Sequence, residues 1–214
     1  MLAFVGGTGK EGRGLALRFA SLGYKVMIGS RDVQKAKVTA DAISECGLPG
    51  VVSSGLNVDV VQNSEIAFLT IPHSVQIETL KPLREPLAGK LVVSTVVPLK
   101  FVNGKAIAER VCEGSAALQA QSILKDSIVV GAFQNIDARK LLKLREIIDT
   151  DVIVCSNDEP AKTLIMKLAE RIEGVRAVDG GGLENSRYVE DLTALLANIN
   201  IIHKAHSTIK IVGI

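Results

Sequence analysis

Short apolar runs, each broken by glycine, proline or a polar tip and followed by a stretch of helical spacing, recur along this chain. Residues 2–5 are the first run, of the kind buried on both faces of a sheet. Leu15, Leu17, Phe19, Ala20 and Leu22 then recur near the helical period over residues 10–22, and Gly23 stops them. Residues 25–29 predict a second strand, 33–46 a second helix and 51–53 a short third strand. Three more strands are predicted at 66–71, 91–97 and 128–133, the first two broken by Pro72 and Pro98. Residues 101–125 are polar and alanine-rich, with one helical segment at 115–121 and no evident chemistry. A basic helix is predicted over 137–145, and 152–155 is expected to close the main sheet. Asp158, Glu159 and Pro160 are strong start signals for a helix that buries Leu164, Ile165, Leu168, Ala169 and Ile172. Residues 179–183, with three glycines, predict a flexible link before a long helix over 184–204. Its Leu192, Leu195, Leu196, Ile199 and Ile202 form a stripe suited to core or dimer contact.

This alternation predicts an α/β fold, a doubly wound Rossmann-type parallel sheet with a small, mainly helical C-terminal lobe. The expected division is a nucleotide domain over residues 1–158 and, over 159–214, a lobe that completes a cleft and offers a dimer contact. With 47% hydrophobic and 22% charged residues, the chain is ordinary globular material and has enough apolar side chains for a real core. Aromatic residues are only 3%, so that core must be Val, Ile, Leu and Ala. Lys and Arg number 25 against 23 acids, which gives no electrostatic case for a nucleic-acid partner. No apolar run approaches the roughly 20 residues of a membrane span, and the opening run is too short for a signal peptide, so a cytoplasmic location is expected. Cys46, Cys112 and Cys155 are scattered and are expected to be core filler in a reducing compartment. His203 and His206 have no accompanying carboxylate or thiol set, so no metal site is expected.

The chemistry begins at Gly7-x-Gly9-x-x-Gly12, directly after the first strand. This is the spacing of a dinucleotide turn: one glycine for the tight turn, one for close approach of the pyrophosphate, one for helix against strand. The pyrophosphate would sit on the free amides of the helix start. About 20 residues on, at the tip of the second strand, an NAD site usually has a carboxylate for the ribose. Here Ser30 and Arg31 come first, and Lys35 follows one helical turn later. A hydroxyl, a guanidinium and an ammonium suit a 2′-phosphate, which favours NADP over NAD. The plainer alternative makes Asp32 a helix cap, with Arg31 and Lys35 facing water.

Together with these features, residues 69–72, the Val97-Pro98 break and Leu183-x-Asn185-Ser186-Arg187-x-Val189-Glu190-x-Leu192-Thr193 resemble the NADPH-dependent reductases of the deazaflavin coenzyme F420. The resemblance covers nearly the whole chain and implies an NADP(H)-binding domain, a cleft where coenzyme F420 stacks on the nicotinamide as second substrate, and a homodimer. It implies that Thr8, Gly9, Lys10 and Glu11 line the pyrophosphate turn, with Ser30, Arg31 and Lys35 on the 2′-phosphate. Ile71, Val75, Val97, Leu99 and Ala138 would border the nicotinamide end, beside the break at Pro72. Where members of the family carry His, this chain has Gln134, and His73 stands where a bulky aromatic can stand. Gln134 and His73 are the candidates for polar contacts to the deazaflavin; direct hydride transfer requires no acid or base. Two other readings keep the NADP site: a reductase of a flavin or small carbonyl compound, and a non-enzymatic NADP(H) sensor.

Overall fold

The computed structural model describes residues 1–214. β1 (Leu2–Val5) is buried along its length, as four consecutive apolar side chains require, and glycines carry the chain from it into α1 (Lys10–Ser21). β2 (Val26–Ser30), α2 (Val33–Ser44), β3 (Val52–Leu56), α3 (Asn57–Gln62) and β4 (Ile66–Leu69) follow. A 3-10 turn at His73–Val75, α4 (Gln76–Leu80) and α5 (Arg84–Leu87) lead to β5 (Leu91–Ser94). Then come the hairpin of β6 (Leu99–Val102) and β7 (Lys105–Ala108), α6 (Ala116–Ile123), β8 (Ile128–Gly131) and α7 (Ala138–Leu141). β9 (Thr150–Val154), α8 (Glu159–Ala169), β10 (Val175–Asp179) and α9 (Ser186–His203) complete the order.

Six strands form a parallel sheet in the order β3-β2-β1-β4-β5-β8. The winding reverses between β1 and β4, which opens a crevice at the carboxyl ends of those two strands. A core cluster lies on each face. Both are mostly Val, Ile, Leu and Ala, but Phe4, Phe19, Phe68 and Phe133 meet at the centre of one, with the Phe4 and Phe68 rings 4.9 Å apart. Burying each such ring is worth about 1.5–3 kcal/mol, so a few aromatics carry much of this layer.

Several expectations change in the structure. Residues 152–155 do not close the main sheet: β9 pairs parallel with β10 in a separate two-stranded sheet, and only Gly131 and Cys155 bridge it to β8. Buried Phe133 takes a left-handed φ of 68° and turns the chain out of β8, and the Asn135 side-chain amide donates to the Asp151 carbonyl at 2.7 Å where a ladder would have continued. The basic helix shrinks to α7, because the buried Arg18 guanidinium collects the carbonyls of Lys140, Leu141, Lys143, Leu144 and Glu146. Carbonyls converging on one cation cannot also run along a helix axis. The glycine link is fastened: Gly180 donates to the Val154 carbonyl, Gly181 to Asp179, and Leu183 to Asn157, with Leu183 buried. Of the three cysteines only Cys155 is core; Cys46 and Cys112 are exposed. The β6–β7 hairpin was not predicted, although Asn103 and Gly104, both left-handed at φ 50° and 74°, are its turn signal.

α9 is fixed at both ends of its path. Glu190 accepts the N–H groups of Ala116 (2.8 Å) and Ala117 (3.1 Å) at the start of α6, while Asn198 exchanges two 2.8 Å bonds with the backbone of Ala106. Burial pushes the Glu190 carboxyl up to about 7, against the two amides that favour its charge.

Candidate functional site

The glycine turn divides its duties among four positions. Gly6 takes the left-handed conformation, φ 71°, one residue before the glycine to which the spacing gives the tight turn. A Cβ at Gly7 would stand 2.9 Å from the Phe4 carbonyl oxygen, and one at Gly12 would stand 2.4 Å from Thr70 Oγ1 and 2.8 Å from Gly7 Cα. At Gly9 nothing lies nearer than 3.7 Å, so its missing side chain leaves room over the start of α1, where no side chain caps the helix. Free amides beside a space only a glycine leaves open are what a bound pyrophosphate needs.

Thr8, Gly9, Ser30, Arg31, Ile71, Pro72 and Val75 line one cavity of about 190 Å³ at the crevice between β1 and β4. Two further residues of its wall, Asn57 and Thr79, were not singled out from sequence, and Thr70 stood in the motif at residues 69–72 without a role of its own. Asn57 Oδ1 accepts the Gly6 N–H at 3.2 Å, and Thr70 Oγ1 donates to the Val5 carbonyl at 2.9 Å, so both brace the turn. Nothing local in the sequence marks Asn57, which opens a six-residue helix. Thr70 lay inside a run that extended too far, since β4 stops at Leu69 and leaves residues 70–75 as the crevice edge.

At the tip of β2, Ser30 is buried and its Oγ accepts the Asp32 N–H at 3.1 Å, while Arg31 is exposed and pairs with no carboxylate. Asp32 does cap α2, accepting from Gln34 and Lys35 at 3.0 and 3.2 Å. The cap and an open guanidinium therefore coexist. Lys35 lies 4.0 Å from Asp32 and lines an adjoining groove that shares Thr8 with the first cavity.

A larger cavity of about 850 Å³ lies beyond the turn, with Lys10, Gln134, Ala138, Arg139 and Thr193 in its wall. Gln134 is only 5% exposed, and neither end of its side-chain amide has a hydrogen-bond partner. Left-handed Phe133 directs it there, and Thr193 Oγ1 donates to the Gln134 carbonyl at 3.0 Å, tying α9 to the same point. A buried amide with a free donor and a free acceptor is suited to a polar heterocycle edge.

The remaining expected residues are not in either cavity. Glu11 turns its carboxyl inward beside Thr95, where Oε1 is buried without a partner; burial pushes it up to about 8, against the Thr95 hydroxyl. His73 starts the 3-10 turn with Nε2 buried and unpaired. Leu99 opens β6 opposite Ala108, and Val97 is half-buried just before it.

Comparison with known proteins adds to this geometry. The family model described as NADP oxidoreductase, coenzyme F420-dependent, matches residues 1–98. The chain is similar to the F420-dependent NADP reductase of Methanocaldococcus jannaschii, at 39% identity over 97% of this chain and 95% of the relative. It is also similar to the F420-dependent NADP reductase of Methanothermobacter thermautotrophicus, at 39% identity over 96% and 91%. A crystal structure of an Arthrobacter sp. FB24 protein shares the fold, with a TM-score of 0.83 at 23% identity over 96% of this chain and 95% of that one.

Proposed function

The chain belongs to the family of F420-dependent NADP reductases, and from that membership we propose how its own residues carry hydride transfer between NADP(H) and coenzyme F420. The observation that supports the reading most is the single cavity shared by the glycine turn, the Ser30-Arg31 tip and the edge at residues 70–75. In this reading Thr8, Gly9 and Lys10 hold the pyrophosphate on the start of α1, and Ser30, Arg31 and Lys35 hold the 2′-phosphate. Glu11 serves there through its backbone, because a carboxyl turned inward and held neutral does not repel phosphate. Ile71, Pro72, Val75, Val97, Leu99 and Ala138 border the nicotinamide. Residues 1–158 carry NADP(H) and residues 159–214 complete the cleft.

When bound, NADPH supplies the hydride and the deazaflavin ring accepts it. The protein's part is to orient two rings in contact and to exclude water. Gln134, with both ends of its amide free, holds a polar edge of the deazaflavin from one side, and His73 reaches it from the crevice edge. Neither group needs to exchange a proton with the reacting carbon.

Purified protein mixed with NADPH and oxidised coenzyme F420, then with NADH in place of NADPH, tests the reading by absorbance. Rapid bleaching of the deazaflavin band with strong NADPH preference is expected. Tight NADPH binding without bleaching would move the function to another acceptor or to a sensor.

The same proposal includes a homodimer, supported by Tyr188, Leu195 and Ile202, which stand exposed in line along α9. Light scattering of Leu195→Asp should report a monomer; an unchanged assembly would place the contact elsewhere. It also includes a cytoplasmic location, which cell fractionation tests; no helix is long and apolar enough to cross a membrane.

A further inference from the structure

The wall of the large cavity carries more positive charge than hydride transfer between two stacked rings requires. Besides Lys10, which the pyrophosphate takes, Arg139 and Lys204 line it, and none of the three has a carboxylate in salt-bridge range. The wall holds one acid, Asp137, against these cations: its Oδ1 caps α7 through the Arg139 N–H at 2.8 Å, and its Oδ2 lies 3.6 Å from His206 Nδ1 without a hydrogen-bond partner, so the cations outnumber it. The other nitrogen of His206 stands 3.1 Å from Arg139 Nη1, which fixes the guanidinium in the wall. Arg139 and Lys204 are absent from the small cavity that holds Arg31, so the dinucleotide phosphates do not account for them.

Lys204 is placed at a cost. It ends α9 in the left-handed conformation, φ 49° and ψ 42°, a position that favours glycine. A lysine held there, in a cavity whose buried Gln134 amide has no partner, is set for a ligand larger than a ring.

We propose that Arg139 and Lys204 form an anion subsite for the acidic side chain of the deazaflavin substrate, its phosphodiester and glutamyl carboxylates. This rests on the function proposed above and extends it: Gln134 recognises the ring, and the cations recognise what trails from it. Arg139 can fork onto a phosphate or carboxylate, and Lys204 adds a point charge.

The test compares two electron acceptors with NADPH in excess: coenzyme F420, and the same deazaflavin riboside lacking phosphate and glutamates. For the unaltered protein, KM should be about tenfold lower for coenzyme F420, and that advantage should shrink as salt is raised. Arg139→Gln/Lys204→Gln, two exposed positions, should raise KM for coenzyme F420 by about tenfold and draw the two acceptors together. KM for NADPH should stay where it was. Equal KM values for the two acceptors in the unaltered protein would overturn the subsite, as would a double variant that raises both KM values alike. If NADPH bleaches neither acceptor, the underlying function fails, and the subsite falls with it.

Discussion

Arg18 donates from Nε to the carbonyl of Leu141 at 3.0 Å, across 123 positions of sequence. The same guanidinium reaches four further carbonyls, so one buried cation organises the segment that follows α7 and supports Ala138 and Arg139 in the cavity wall. Arg18→Met keeps most of the stem but leaves those carbonyls without a donor. We expect a loss of about 3–5 kcal/mol in urea unfolding. A loss under about 1 kcal/mol would mean that water satisfies the carbonyls equally well.

Gly9 and Gly12 should respond in opposite ways to the same methyl group. Gly9→Ala meets nothing closer than 3.7 Å and leaves stability within about 0.5 kcal/mol, while filling the space over the amides and weakening NADPH. Gly12→Ala drives a Cβ to 2.4 Å from Thr70 Oγ1 and 2.8 Å from Gly7 Cα, which should cost about 1–3 kcal/mol of folding stability. Thermal unfolding and calorimetric titration of both variants separate the two effects; an unstable Gly9→Ala would contradict the geometry.

Arg31→Ala should weaken NADPH by about 1.5–3 kcal/mol and barely change NADH, since only NADPH carries the phosphate that an unpaired guanidinium can bind. Equal losses for both nucleotides, measured by fluorescence titration, would remove Arg31 from the 2′-phosphate.

The buried Glu11 carboxyl makes stability depend on pH in a known direction. Its pKa is raised from 4.5 to about 8, so the folded state keeps a proton that the unfolded chain releases. This group therefore lowers stability progressively as pH rises from about 4.5 to about 8, and adds no further slope above that. Glu11→Gln keeps the shape without the ionisation, and should raise stability at pH 8 by on the order of a few kcal/mol while flattening the profile. Urea midpoints at pH 5 and pH 8 decide it, because an identical slope in the variant would assign the dependence to another group. Glu190, raised to about 7, contributes in the same sense and remains in the variant, so the slope should shrink without vanishing.

By itself the sequence determined the alternation of strands and helices and the doubly wound sheet, and it carried the glycine turn and the Ser-Arg tip from which NADP was expected, because each is written in contiguous residues. Apolar runs, glycine spacing and a Ser-Arg pair act through local backbone geometry, which short stretches encode. The tertiary structure decided where three strands stop, at Leu69, Ser94 and Gly131, and so which residues become the crevice edge. It also decided that β9 pairs with β10, that Arg18 dissolves most of a predicted helix, and that Asn57 braces a turn from 51 residues away. These depend on partners distant in sequence, and no local period records a hydrogen bond whose other half lies elsewhere. The large cavity belongs to the same class, since Lys10, Arg139 and Lys204 become neighbours only when α9 is bound to α6 and β7 and the end of the chain is drawn back along β9.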